Sequence, residues 1–313
     1  MLRVIDPGPF TTIQDLGRFG HGRFGVPTSG AMDLFALCAA NLLAGNAMTE
    51  AGLESGLGDL ILEATDDYVV AATGAGYDLW VQGRPMPLWV ATLVRRGWMI
   101  ELRKRSGGQW GYLAIGGGIQ CPVVLGSRAT YVRGALGGLN GGPLRSGDSL
   151  SIGAPSRWLW ELAGCEIPES ARPIYDDSVE IEVIVGPQED CFSTAGLKTF
   201  FSSEYTINPI SDRMGYRLNG PKVENRGGAD IVSDGMARGC IQIPAGGEPL
   251  VMMADGPTTG GYPKIATAIS ADLPLLAQCS PGAGRVRFRA TTVAAAQAKY
   301  REMNRGLIAV VSD

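Results

Sequence analysis

Apolar and polar positions alternate along this chain in short runs of strand length. Trp98-Met99-Ile100-Glu101-Leu102 and Ile181-Glu182-Val183-Ile184-Val185 alternate as half-buried strands do. Val69-Val70-Ala71-Ala72, Leu88-Trp89-Val90, Tyr112-Leu113-Ala114-Ile115 and Ile241-Gln242-Ile243 are also short enough to be strands. Forty-five glycines and 19 prolines punctuate these runs. Many short strands separated by Gly/Pro turns predict a mainly antiparallel β sandwich or barrel.

A helical period occurs in few places. Between Met32 and Asn46 the apolar positions are Leu34, Leu37, Cys38 and Leu42, with Gly45 as a stop. From Thr292 to Asn304, Val293, Ala296, Tyr300 and Met303 share one face, and Gly306 follows. A third, short helix is expected from Gln188 to Phe200. Apolar periodicity lapses between Cys165 and Asp177, where Pro168, Glu169, Arg172, Pro173, Asp176 and Asp177 cluster. That lapse predicts two β domains, residues 1–170 and 178–313.

Composition narrows the function classes. The chain has 313 residues, 19% charged and 45% hydrophobic, with a formal net charge of −4. That charge gives no basic excess for nucleic acid. No apolar run approaches the roughly 18 residues of a membrane helix. The first residues read as a strand and a turn rather than a secretory signal, so the expected location is cytoplasmic. The six cysteines are scattered without a Cys-x-x-Cys pair, which suits buried small residues rather than zinc ligands, and no metal site is expected on the chain. His21 is the single histidine, flanked by Gly20 and Gly22, so acid–base chemistry would fall to Asp, Lys, Tyr or Arg.

Two familiar motifs fail on context. Gly20-His21-Gly22-Arg23-Phe24-Gly25 has the spacing of a dinucleotide fingerprint, but Val26-Pro27 follows where a helix must begin. None of the five lysines follows a glycine, so there is no P-loop. None sits in a Met-Lys-Met context, so the chain is not itself a biotin carrier.

Reactive side chains gather in three Gly-rich blocks. The first runs from Gly8 through Gln14-Asp15-Leu16-Gly17-Arg18 and on to Gly25-Val26-Pro27-Thr28-Ser29-Gly30-Ala31-Met32-Asp33. The second is Ser211-Asp212-Arg213-Met214-Gly215-Tyr216-Arg217-Leu218-Asn219-Gly220-Pro221. The third is Asp255-Gly256-Pro257-Thr258-Thr259-Gly260-Gly261-Tyr262-Pro263-Lys264-Ile265. Glycine and proline exclude regular helix or central strand there, leaving loops that carry polar groups on a scaffold. Arg18, Arg213, Arg217 and Lys264 are the candidate anion binders, with Arg128 and Arg133 behind them. Thr258, Thr259, Tyr262 and Ser29 supply hydroxyls. Asp33, Asp212 and Asp15 could hold the cations, take a proton or meet a nucleotide-bound Mg2+. Each has a structural alternative: Asp33 or Ser29 as a helix cap, Asp212 and Arg213 as an ion pair, Tyr262 as a packed ring.

These blocks, together with Gly239-Cys240-Ile241-Gln242-Ile243-Pro244, resemble the KipA family in order and across nearly the whole chain. That family includes the C subunit of 5-oxoprolinase and the so-called allophanate hydrolase subunit 2. The resemblance implies two cyclophilin-like β-barrel domains with a few short helices. It also implies a KipI-like partner subunit, and in the 5-oxoprolinase branch a third, lactam-opening subunit. The implied activity is cleavage of 5-oxoproline to glutamate coupled to ATP hydrolysis, with ATP and Mg2+ handled by the complex. For that activity Lys264, Asp33 and Asp212 are the candidate catalytic groups, and Arg18, Ser29, Arg213, Arg217, Thr258, Thr259 and Tyr262 the candidate substrate or phosphate contacts. Two other readings accompany it. One is a carboxyltransferase-like protein acting on urea or a related amide, with biotin on another chain. The other is a KipA-like regulator that antagonises a KipI-like kinase inhibitor.

Overall fold

The computed structural model describes residues 1–312. The chain forms two compact units: Met1–Phe19 with Ser29–Pro173 and the stretch from Arg305, and Gly20–Thr28 with Ile174–Asn304.

In the first unit, one sheet of seven strands runs in the order Ile119–Gln120, Ser149–Ile152, Leu2–Asp6, Leu60–Ala64, Met99–Lys104, Tyr77–Val81, Arg84–Met86. A second sheet of five has the order Phe10–Gln14, Gly52–Leu57, Gly111–Ile115, Tyr68–Gly74, Ala91–Val94. The alternation read at Trp98–Leu102 sends Ile100 and Leu102 of the first sheet inward, beside Leu60 and Leu62. There they meet Ile13, Leu53, Val70 and Leu113 of the second in one buried core. Helix α1, Leu34–Leu43, covers the other face of the five-stranded sheet. Strand Tyr68–Gly74 is therefore buried along its whole length, which explains its unbroken apolar run. Gly52 lets α1 sit close: a Cβ there would stand 2.9 Å from Leu37 Cδ1. A short helix, α2, spans Leu159–Leu162.

The second unit is a closed barrel of seven strands, Ser178–Val185, Lys264–Ala268, Cys240–Gln242, Leu250–Met252, Gly215–Asn219, Tyr205–Ile207 and Arg285–Ala290. Closure comes from the one parallel pairing, Ser178–Val183 alongside Arg285–Ala290. Helices α3 (Thr194–Ser202), α4 (Leu273–Gln278) and α5 (Val293–Ser312) belong to the C-terminal half of the chain. Phe200 of α3 stacks on Phe288 of the barrel, with ring centroids 4.7 Å apart. The Tyr216 hydroxyl donates to Ala277 O of α4. A two-residue ribbon, Asp234–Gly235 paired with Thr259–Gly260, stands apart from the barrel ladder.

The expected class, mainly β with few helices, holds. Three expectations need correction. Leu88-Trp89-Val90 is not a strand: Trp89 takes a left-handed φ of 64°, and only Val90 bridges, to Glu166. The helix expected over 188–200 is divided into a 3-10 turn at Glu189–Cys191 and α3, because Ser193 caps α3 by accepting from Gly196 N. Gly306 does not end α5. One glycine costs a helix only about 1 kcal/mol, and Leu307 beyond it is buried.

Candidate functional site

In the second unit the third Gly-rich block is built on Lys264, the first residue of its barrel strand. The strand is fixed there by a close approach, since a Cβ on Gly186 would lie 2.0 Å from Lys264 O. The Lys264 side chain is only 6% exposed, so its ammonium must find partners inside the protein. It pairs with the Asp234 carboxylate and donates to Gly235 O at 2.9 Å. Gln188 ties both ends of this pair. Its Oε1 accepts from Lys264 N at 3.1 Å and its Nε2 donates to Asp234 Oδ2 at 3.2 Å. The bond from Lys264, with a further one from the Gly235 N–H, holds the Asp234 carboxyl below its usual range.

The Thr258–Tyr262 loop is shaped from beneath by Gln242, whose Nε2 donates to Tyr262 O at 2.9 Å. Gly260 has no room for a side chain, because a Cβ would meet that same nitrogen at 2.4 Å. Thr259 and Tyr262 are exposed and Thr258 half-buried, so their hydroxyl-bearing side chains face outward. The 3-10 turn Gly22–Phe24 approaches this loop: a Cβ on Gly22 would stand 4.0 Å from Thr258 Cγ2. Arg23 lies over the Phe24 ring at 4.7 Å.

The second block joins the third through a buried ion pair. Arg213 binds Asp255 in a bidentate fork, Nε to Oδ2 at 2.8 Å and Nη2 to Oδ1 at 3.0 Å. The pairing expected between Asp212 and Arg213 does not form. Asp212 instead accepts from Met214 N at 2.8 Å and shapes its own turn. Arg217 is exposed, and its backbone N donates to Ser211 Oγ.

The remaining sequence candidates lie in the first unit. Asp33 caps α1, its Oδ1 accepting from Ala36 N at 2.9 Å. Its own N–H donates to the Tyr112 hydroxyl, which in turn donates to Glu54 Oε2 at 2.8 Å. Burial, with the Glu54 charge, pushes the Tyr112 hydroxyl well above its ordinary value. Asp15 accepts from Gly17 N, Ser127 Oγ and Arg128 N. Arg18 is fully buried and donates to Ala129 O. Arg128 reaches Gln120 Oε1 at 3.0 Å, and Arg133 sits in the 3-10 turn Val132–Gly134. Ser29 adopts a left-handed φ of 55° rather than capping α1. Its buried hydroxyl has no hydrogen-bond partner among the described residues. Gly30 lies against Asp15–Gly17, where a Cβ would come within 2.9 Å of three backbone atoms. Sequence reading missed Asp234, Gln188 and Gln242 around Lys264, and Glu54 and Tyr112 beside Asp33. For all but Gln188 the signal is strand register: Glu54 pairs directly with Tyr112, Asp234 with Gly260 and Gln242 with Lys264.

Together these features define a β-rich, two-unit chain with a lysine-centred polar loop. Residues 24–290 match the family model of the carboxyltransferase domain, subdomains A and B, and the chain belongs to that family. It is 35% identical over 304 residues to the C subunit of 5-oxoprolinase from Haemophilus influenzae, covering 97% of this chain and 95% of that one. The corresponding Escherichia coli protein, also a 5-oxoprolinase C subunit, is 36% identical over 282 residues, covering 90% and 89%. Among solved structures, the K. lactis urea amidolyase superposes with a TM-score of 0.91 at 28% identity over 99% of this chain. This chain spans 20% of that protein's length.

Proposed function

We propose that this chain is the C subunit of an ATP-dependent 5-oxoprolinase, active with partner subunits. The observation that carries this reading is the near end-to-end likeness to the Haemophilus influenzae 5-oxoprolinase C subunit, 97% of this chain against 95% of that protein. The partners in this reading are a KipI-like subunit and a lactam-opening subunit. The two-domain division at the 165–177 segment, and a cytoplasmic location, belong to the same reading. No helix among the described residues is long and apolar enough to cross a membrane.

A lactam resists hydrolysis because its amide resonance must be broken and its nitrogen leaves poorly. ATP supplies activation of the amide oxygen, and the protein's share is positioning and charge stabilisation. Lys264 offers a fixed ammonium for a substrate carboxylate or a phosphoryl oxygen, and Thr259 and Tyr262, both exposed, lie in the same loop just before it. Arg217 is an exposed cation in the same unit. Arg213 is committed to Asp255, so its part is to anchor the base of the Gly256–Lys264 loop. Among the described residues no group of three or more His, Cys, Asp or Glu gathers as metal ligands. In this reading Mg2+ arrives with the nucleotide phosphates, which need only one or two protein carboxylates to complete its shell.

The test is ATP hydrolysis by this chain mixed with both partners, with and without 5-oxoproline. A rate that requires 5-oxoproline and vanishes when this chain is omitted is the expected result; a complex without stimulation sinks the assignment. The likeness to K. lactis urea amidolyase favours a second reading, a carboxyltransferase-type subunit for urea or a related amide. Turnover that depends on a biotinylated protein is the outcome that would select it.

A further inference from the structure

Lys264 and its counter-ion differ in how firmly they are held. The lysine begins a strand of the closed barrel, its backbone wedged against Gly186, and its side chain is 6% exposed. The Asp234 side chain is 52% exposed and belongs to the two-residue ribbon that stands outside the barrel ladder. Before that ribbon the chain passes through Gly227 and Gly228, both at positive φ, and through exposed residues, Val232 at 93% among them. A Cβ on Gly227, Gly228 or Gly235 would meet nothing within 4 Å. Apart from Lys264, the side chain that holds the Asp234 carboxylate is Gln188, through a single bond of 3.2 Å.

A buried ammonium needs a negative partner, but the partner is interchangeable. We propose that Asp234 is a displaceable counter-ion: its carboxylate stands where an anionic oxygen of the ligand, carboxylate or phosphoryl, pairs with Lys264. This rests on the reading of Lys264 as the anion-binding group of the site. Binding is then an exchange of anions at a fixed cation. The ribbon with Thr259 shifts as Asp234 leaves, because Gly235 pairs directly with Thr259. The exchange discriminates by charge. A neutral amide cannot replace Asp234 without leaving the ammonium uncompensated, whereas an amide bearing a carboxylate can.

The experiment measures ligand-induced thermal shift and calorimetric binding on the full chain. The probes are inorganic phosphate, 5-oxoproline and, as a neutral control, 2-pyrrolidinone. Removing a competing internal anion tightens an external one, so Asp234→Asn should bind phosphate or 5-oxoproline about tenfold tighter than wild type. It should be less stable without ligand and show no gain for 2-pyrrolidinone. The phosphate and 5-oxoproline arms separate a phosphoryl from a carboxylate ligand. Gln188→Ala loosens the tether while keeping the ion pair, and should tighten the same anion by about threefold; it decides the matter where Asp234→Asn does not fold. Anion binding unchanged or weaker in both variants overturns the proposal, assigning Asp234 a fixed role beside Lys264. Absence of 5-oxoproline-dependent turnover in the reconstituted wild-type complex, with the exchange intact here, would instead count against the 5-oxoprolinase reading.

Discussion

Arg213 and Asp255 are each almost fully buried and satisfy one another in a fork. Replacing one partner leaves the other charge uncompensated in the interior, so Arg213→Met should destabilise the protein by about 3–5 kcal/mol. Urea unfolding measures this, and a loss below about 1 kcal/mol would show that the pair is wetter than its geometry implies. Ser29 predicts the opposite pattern. Its hydroxyl is buried without a partner among the described residues, so Ser29→Ala should leave stability within about 1 kcal/mol of wild type. A rise in KM of the complex with stability unchanged would place that hydroxyl at the ligand. A stability loss beyond about 2 kcal/mol would mean it has a structural partner.

At the scale of elements, α5 is clamped to the barrel by charge. Lys299 Nζ lies 2.9 Å from Glu182 Oε2 and 2.7 Å from Asp272 Oδ1. The bond from Lys299 holds the Glu182 carboxyl below its ordinary 4.5, and Lys299 is raised above its ordinary 10.5 despite partial burial. A depressed carboxyl contributes stability that is complete above its unfolded value and lost as pH falls through the folded one. A raised amine contributes below its unfolded value and loses that contribution as pH rises through the folded one. Protection of the α5 amides against hydrogen exchange, corrected for intrinsic rate, should therefore be flat from about pH 5 to 9 and fall in more acidic solution. Lys299→Met should remove the acid-side step; equal steps in variant and wild type would exclude the clamp as its cause.

Elements of this kind were unevenly legible in the sequence. Ile181–Val185 and Tyr112–Ile115 announce themselves because burial on one or both faces dictates residue type at every position. Trp89 did not, because a single left-handed residue inside an apolar triplet leaves no periodic trace. The site divides the same way. Lys264, Thr258 and Tyr262 are readable as one local run. Asp234 and Gln188, 30 and 76 residues away, meet Lys264 only through the fold. Asp33 was readable as a helix opener, but the Tyr112–Glu54 pair beneath it depends on a cross-strand register that no local pattern encodes.

For the whole molecule, the two units are not consecutive halves. The second takes Gly20–Thr28 from early in the chain, and the first takes the stretch from Arg305. Separately expressed residues 174–304 should therefore be less stable than the same residues with a peptide spanning 20–28 added. The lost contacts include the approach of Gly22 to Thr258. Circular dichroism melting with and without peptide checks this, and an identical Tm would mean the segment contributes nothing to that unit's stability.

The interleaving also bears on biosynthesis. A ribosome delivers a chain vectorially, and domains ordinarily fold as they emerge. Here the leading unit waits for a stretch that leaves the exit tunnel only after the entire second unit, while the second unit draws on residues synthesised near the start. Nascent protein thus passes through a period in which the first unit lacks the last stretch assigned to it, a partly assembled state that is exposed to aggregation. Slowing translation should therefore lower the soluble yield of this protein rather than raise it.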